Sequence, residues 1–327
     1  MLVIKQQSYG DTADYTLDLC GRKIPSPESS HRVAQILSGL HGSRTCSVAT
    51  ARGLGGLERN QFEQALRQTH STAYLEFLGA VTEGHATEFL EHPYTCPYNQ
   101  PETFVSQESW RSSIAAAEAA FVAAADFGKS REDIYVLSRP PGHHAGFGWM
   151  GGFCYLNNTA LAANVSRNLT NANVGILDLD FHYGNGIADI VRRGAGLCYA
   201  SLHCDRMQTY PFYKDASDAE CRSILTIDYA EPPQIERYLD DMERCVAFLI
   251  DECDCRSLIV AMGYDTVAND PFGGWNFVSG DFQRIARRLR ESCRQRLLIV
   301  QEGGYNVASL PDCARSFAAG LSDRHDC

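Results

Sequence analysis

From residue 134 onward the chain repeats one pattern: a short unbroken apolar run, rich in Val, Ile and Leu, then a longer stretch with helical spacing. The runs are 134–138, 174–179, 197–202, 223–227, 258–262 and 297–301, and helical patterns fall between them at 156–169, 187–193, 233–251 and 279–293. A strand with one wet face alternates polar and apolar residues, whereas an unbroken apolar run has both faces covered. Strands separated by helices pair in parallel, because the crossover returns the chain to the starting end of the sheet. The pattern predicts an α/β fold: a mainly parallel sheet between helical layers. Nothing interrupts it, so residues 1–327 read as a single domain, with a helical elaboration over about residues 1–128.

Within that elaboration, residues 110–127 (WRSSIAAAEAAFVAAADF) contain no Pro or Gly and are rich in Ala, the best helix former. A second helix is expected over 59–78, where Phe62, Leu66, Tyr74 and Leu78 recur at helical spacings. A third is expected over 31–40, with Ser29 or Ser30 as its N-cap. Residues 92–107 hold three prolines and read as an irregular loop.

Charge narrows the partners. Asp and Glu number 40 against 29 Lys and Arg, a net charge of -11. Holding nucleic acid through its phosphates needs a basic face, so direct nucleic-acid binding is not expected. No run approaches the roughly 20 apolar residues of a membrane span. The opening MLVIKQQSYGDTADY has neither the basic nor the apolar region of a signal peptide. The 13 cysteines are odd in number in a long, core-forming chain, which reads as reduced thiols in a cytoplasmic protein. Cys253 and Cys255 form a lone CxC, read as helix-end residues.

In parallel sheets, ligands bind beyond the carboxyl ends of the strands. Run 134–138 is followed by RPPGHH, ending in His143 and His144; run 174–179 by DFHYGNG, with Asp180, His182 and Asn185. Run 258–262 leads to Asp265, and run 297–301 to EGGY, ending in Tyr305. Asp180 and His182 are two residues apart, which places both side chains on one face of an extended segment. With Asp265 they make a three-donor site that leaves a position for water, the layout of catalytic zinc. All-nitrogen-and-oxygen ligation also admits Fe2+ or Co2+. Asp178, one strand period before Asp180, is placed to orient a histidine from behind.

These segments, taken together, resemble the histone deacetylase superfamily, which includes the bacterial acetylpolyamine amidohydrolases. The resembling stretches are RPPGHHAG (139–146), GGFCYLNN (151–158), LDLDFHYGNG (177–186), SLH (201–203), GYD (263–265) with NDP (269–271), and EGGYN (302–306). PSPESSHR (25–32) and the helix carrying QTH (68–70) and Tyr74 match more loosely. The EGGY form and Asn185 are closer to the class II and amidohydrolase branches. The resemblance implies the three-layer arginase/deacetylase-like fold with a parallel eight-stranded sheet. It implies metal ligation by Asp180, His182 and Asp265, with His143 and His144 as tandem active-site histidines backed by Asp178 and Asn185. Tyr305 stands as the transition-state tyrosine. Gly152, Phe153, Tyr210 and Phe272 stand along the substrate tunnel and its rim, and Glu102 is the nearest match to an acidic residue that grips substrate. A structural K+ is implied at Asp178, Asp180, His182, Ser201 and Leu202.

The implied reaction is zinc-dependent hydrolysis of an N-acetyl amide, from an acetylpolyamine or from acetyl-lysine, to acetate and free amine. One departure stands at 204–222 (CDRMQTYPFYKDASDAECR), which has no glycine where the family has a Gly-rich loop. A homodimer stays open, since the segment 81–108 that would cover the tunnel is short. Two rival readings stand beside the deacetylase one. Leu177-Asp178-Leu179-Asp180 resembles the nucleophile motif of haloacid dehalogenase-type phosphatases, but Phe181 and His182 follow it and the paired histidines would have no task. A non-catalytic acyl-lysine-binding scaffold of the same fold would lack at least one reactive residue, and none is missing.

Overall fold

The computed structural model describes residues 1–7, 16–19, 22–43, 45–80, 94, 103, 105–215 and 217–322, with backbone alone at 16–19 and 22–25. The elements run β1 (Leu2–Lys5), β2 (Thr16–Leu19), β3 (Arg22–Pro25), α1 (Ser30–Gly42), β4 (Ser47–Thr50), α2 (Gly56–Thr69), α3 (Thr72–Ala80) and α4 (Gln107–Phe127). Then come β5 (Ile134–Leu137), α5 (Asn158–Thr170), β6 (Val174–Asp178), α6 (Asn185–Arg193), β7 (Leu197–Cys204), α7 (Ser217–Glu220), β8 (Ile224–Tyr229) and α8 (Ile235–Ala247). A π-helical turn (Phe248–Glu252), β9 (Ser257–Met262), α9 (Ser279–Ser292), β10 (Leu297–Gln301) and α10 (Leu310–Ser322) complete the order.

Eight strands form one sheet in the order β4-β1-β5-β10-β9-β6-β7-β8, with every neighbouring pair parallel. The pleat divides each apolar run between two cores. On β10, Leu297 and Ile299 join the core under α1, α8, α9 and α10, while Leu298 and Val300 join the core under α2 to α6. Leu258, Val260 and Met262 of β9 likewise face one way, and Ile259 and Ala261 the other. Both faces are therefore dry, which is why these strands carry no polar alternation. Burying each such side chain contributes on the order of 2 kcal/mol. The helices pack tightly over these faces: a Cβ on Gly39 of α1 would lie 2.1 Å from the Pro311 carbonyl oxygen of α10.

The structure differs from the sequence expectations in four places. The expected helix over 59–78 is two helices, α2 and α3, because the chain turns extended at His70 (φ -134°, ψ 148°). The N-terminal part is more than a helical elaboration, since β1 and β4 extend the sheet edge. The stretch expected over 233–251 ends in the π-helical turn. The C-terminal α10, with Pro311 near its start, was not anticipated. Ser29 holds the N-cap position of α1, but its hydroxyl makes no cap hydrogen bond. Among the described residues no helix is long and apolar enough to cross a membrane.

Candidate active site

Strands β5, β10, β9 and β6 are consecutive neighbours, so their carboxyl ends deliver four polar segments to one stretch of rim. Asp180, His182 and Asp265 come together there, all buried, each offering one donor atom within 4.8 Å of the others. His182 Nδ1 lies 3.2 Å from Asp180 Oδ1 and 3.0 Å from Asp265 Oδ2. Its Nε2 lies 3.0 Å from the Phe272 carbonyl oxygen. A carbonyl only accepts, so Nε2 carries a proton, and Nδ1 is the nitrogen turned into the trio.

The carboxylates are held by backbone donors. The amides of His182 and Gly303 donate to Asp180 at 2.9 and 2.8 Å, and that of Phe181 donates to Asp265 at 3.1 Å. Close approach explains one glycine: a Cβ on Gly303 would sit 2.5 Å from carboxylate oxygens of both Asp180 and Asp265. Gly304 has φ 116°, a conformation that side chains resist. Thus one glycine of the pair makes room for the carboxylates and the other makes the turn before Tyr305.

Burial and the nearby Asp180 charge push Asp265 up to about 7. Burial disfavours charged His182, yet Asp180 and Asp265 outweigh it and push the imidazole up to about 10. Two dry carboxylates this close repel unless a cation joins them. The donor set and its electrostatics therefore fit a divalent ion held by Asp180, His182 and Asp265.

The tandem histidines lie beside this trio, their ring centroids 3.9 Å apart. His143 Nδ1 is 3.2 Å from Asp178 Oδ2, and burial is outweighed by Asp180 and Asp178, which push this imidazole up to about 10. His144 Nδ1 is 2.8 Å from the Asn185 side-chain oxygen, a neutral partner. Burial, with the charges of His143 and His182, holds His144 well below the ordinary range. The two neighbours are thus driven apart, one toward the imidazolium and one toward the free base.

Around them stands a group of aromatic rings. Phe153, Phe272 and Tyr305 form an edge-to-face triangle with centroids 6.0, 5.8 and 5.3 Å apart, and Tyr210 lies 4.5 Å from His144. Gly152 packs against His144, and a Cβ there would meet the imidazole at 2.3 Å. Ser201 and Leu202 lie on β7, whose Ser201 is the register partner of Asp178. Glu102 lies outside the described residues, as does most of the segment 81–108.

Several contributors had no role in the sequence reading. The Tyr199 hydroxyl donates to Asp178 Oδ2 at 2.9 Å, sharing that oxygen with His143. Glu302 accepts from the amides of Gly142 and His143 at 2.6 and 3.0 Å and from the Thr159 hydroxyl at 2.6 Å, fixing the loop of the paired histidines. Asp270 accepts from the amides of Tyr305 and Asn306 at 2.6 and 2.8 Å. Arg32 of α1 lies over the Tyr305 ring, 4.4 Å from its centroid, and donates to the carbonyls of Gly304 and Glu302.

A buried trio of two carboxylates and an imidazole, with paired histidines alongside, fits the class of metal-assisted hydrolases. The chain belongs to the histone deacetylase family: the histone deacetylase domain matches residues 26–321. It lies on the branch that includes the bacterial acetylpolyamine amidohydrolases, and it is a hydrolytic deacetylase. It is 31% identical over 321 residues to an acetylpolyamine amidohydrolase of Mycoplana ramosa, covering 89% of this chain and 90% of the relative. A second such relative, from Burkholderia pseudomallei, is 30% identical over 317 residues, covering 85% and 89%. A crystal structure of acetylpolyamine aminohydrolase from Burkholderia pseudomallei superposes with a TM-score of 0.86 at 25% identity, covering 99% of both chains.

Proposed function

We propose that this chain is a zinc-dependent deacetylase that hydrolyses the N-acetyl amide of a small cationic amine, of the acetylpolyamine kind, to acetate and free amine. The observation that carries the reading is the convergence of Asp180, His182 and Asp265 beside a histidine pair whose members are driven to opposite protonation states. Bound there, zinc would polarise the acetyl carbonyl and lower the pKa of water toward about 7.

The remaining work falls to the chain's own residues. Asn185 fixes the Nδ1–H of His144, leaving the His144 Nε2 lone pair to take a proton from the attacking water and return it to the departing amine. Such acid–base help typically contributes around 10² to 10⁴ in rate. His143, held charged by Asp178, supports the negative charge that develops. The Tyr305 hydroxyl donates to the oxyanion, a contribution of roughly 3 to 4 kcal/mol by analogy with other such donors. Phe153, Phe272 and Tyr210 wall a slot suited to an extended alkyl stem. Asp178, Asp180, His182, Ser201 and Leu202 would hold a structural K+, mostly through backbone carbonyls. The names of the relatives support the polyamine substrate over acetyl-lysine in protein.

The test compares turnover of acetylputrescine, acetylspermidine and an acetyl-lysine peptide on one preparation of known metal content. Acetate release that is fastest on the small amines, abolished by chelation and restored by zinc, is expected. Undiminished deacetylation after exhaustive chelation would overturn the metal reading; a faster rate on the peptide would overturn the substrate.

A further inference from the structure

The amino ends of the central strands, remote from the metal trio, carry a group of thiols that deacetylation does not use. Cys198, the second residue of β7, pairs in register with Gly175 of β6, which pairs with Leu258 of β9. Gly175 leaves a gap in the face of the sheet. A Cβ there would lie 3.1 Å from the Leu249 Cβ and 3.4 Å from the Cys255 Cβ. The π-helical turn after α8 fills this gap: Leu249 packs into it, and its carbonyl accepts from the Cys255 amide at 3.0 Å. Asp254, with φ 52°, turns the chain between Cys253 and Cys255. Cys198 and Cys255 thereby belong to one apolar cluster at the Gly175 gap, with Cys253 packed against it.

Three cysteines from two stretches of chain thus share one side of the sheet around Gly175. Cys198 and Cys255 are 6% and 2% exposed, while Cys253 is only partly covered. The Cys255 thiol, working against burial and helped by Cys253, pulls the Cys198 thiol down to about 6. The isolated buried Cys313 is instead pushed up to about 12 by burial. Thiolate character at a sulfur adjacent to a second thiol is what makes a cysteine oxidisable.

We propose that Cys198 is an oxidation site, converted by a hydroperoxide into a disulfide with the neighbouring CxC pair, Cys255 first. The Cys198 thiolate attacks the peroxide, forming an S–O bond as the O–O bond breaks, and water or alcohol leaves. The Cys255 sulfur then attacks the sulfenic acid, forming the S–S bond with loss of a second water. Two thiols are oxidised by two electrons, and one hydroperoxide is reduced. The link joins β7 to the segment feeding β9 across β6, and so staples three adjacent strands, two of which lead to metal donors at their far ends. Because it closes far from those donors, it acts on stability rather than on the chemistry.

The test is mass mapping of the folded full chain after stoichiometric hydrogen peroxide, with free thiols alkylated during unfolding. The peptide holding Cys198 is expected to appear joined to the peptide holding Cys253 and Cys255, with Cys293 and Cys313 still alkylated. The thermal midpoint should rise on oxidation and return with dithiothreitol. Cys255→Ser should move the link to Cys253, and Cys198→Ser should remove the rise in midpoint. Full alkylation of Cys198 in the treated wild type would overturn the proposal without recourse to any variant. So would a link from Cys198 to a cysteine outside this group.

Discussion

Asn185 offers the sharpest handle on the proposed base. Its side-chain oxygen is 2.8 Å from His144 Nδ1, and the residue is 1% exposed. Asn185→Asp keeps the shape and adds a negative charge about 4 Å from the centre of the imidazole, which at an effective dielectric near 20 is worth about 4 kcal/mol. That corresponds to roughly 3 pKa units at about 1.36 kcal/mol per unit. Burial of the new carboxylate takes back part of this, leaving a net rise in the His144 pKa of about 1 to 3 units. His144 starts well below the ordinary range because burial and the charges of His143 and His182 disfavour its protonated form.

The sign of the effect on rate follows from the role. A general base works deprotonated, so raising its pKa moves the acidic limb of the kcat/KM profile to higher pH. The assay is that profile, measured on an acetylated amine with zinc content matched between wild type and variant. Asn185→Ala serves as the control: it removes the hydrogen bond without adding charge, so it lowers the rate and leaves the limb where it was or lower. An Asn185→Asp limb that superimposes on that of the wild type would refute the coupling of Asn185 to the ionising base.

Three further outcomes follow from other contacts. Tyr305→Phe should lower kcat by about 10² to 10³ with zinc still bound; near-full turnover would remove the phenol from the mechanism. His70 accepts from the Asn157 amide at Nε2 (2.9 Å), so its proton lies on Nδ1 toward the Gly146 carbonyl (2.8 Å), and burial pulls it down to about 4. The unfolded chain binds more protons between about pH 6.5 and 4, so stability should fall as pH drops through that window, by up to about 3 kcal/mol from this group; an equal pH slope in His70→Gln would contradict this. Asp218 accepts from the Tyr183 hydroxyl at 2.6 Å and Arg206 at 2.7 Å and pairs with Arg192, anchoring the segment that carries Tyr210. Asp218→Ala should cost about 3 kcal/mol in urea unfolding, and a loss below about 1 kcal/mol would show that Asp228 alone holds Arg206.

What the sequence disclosed depended on whether the signal was local. An unbroken run such as 297–301 can be covered on both faces only inside a sheet, so β10 was legible. β4 was not, because an edge strand with three of four residues exposed carries no apolar pattern. The break between α2 and α3 was hidden because Phe62, Leu66, Tyr74 and Leu78 keep helical spacing across a turn that lacks Pro or Gly. The donors at strand ends were readable as a class, since Asp180 and His182 share a face by spacing alone. The contacts of Arg32 with the carbonyls of Glu302 and Gly304 span 270 residues or more, and no local pattern encodes them. Tyr199 looked like one more apolar strand residue until the fold set its hydroxyl against Asp178.

The buried carboxylates show why the strand ends and the chemistry coincide. Asp178, Asp180, Asp265, Asp270 and Glu302 are each at most 6% exposed, and each accepts at least one backbone N–H from a segment leaving the sheet. A chain that turns out of a parallel strand leaves amides that the ladder no longer satisfies, and an acidic side chain can take several of them. Asp270 does this with four amides and Glu302 with two plus a hydroxyl, and both hold loops. Asp265 has one amide and Asp180 two, and both also face the His182 imidazole. The same turn geometry thus builds two kinds of acid: those that meet only loop donors, which shape the rim, and those that also face His182, which make it a place for a cation.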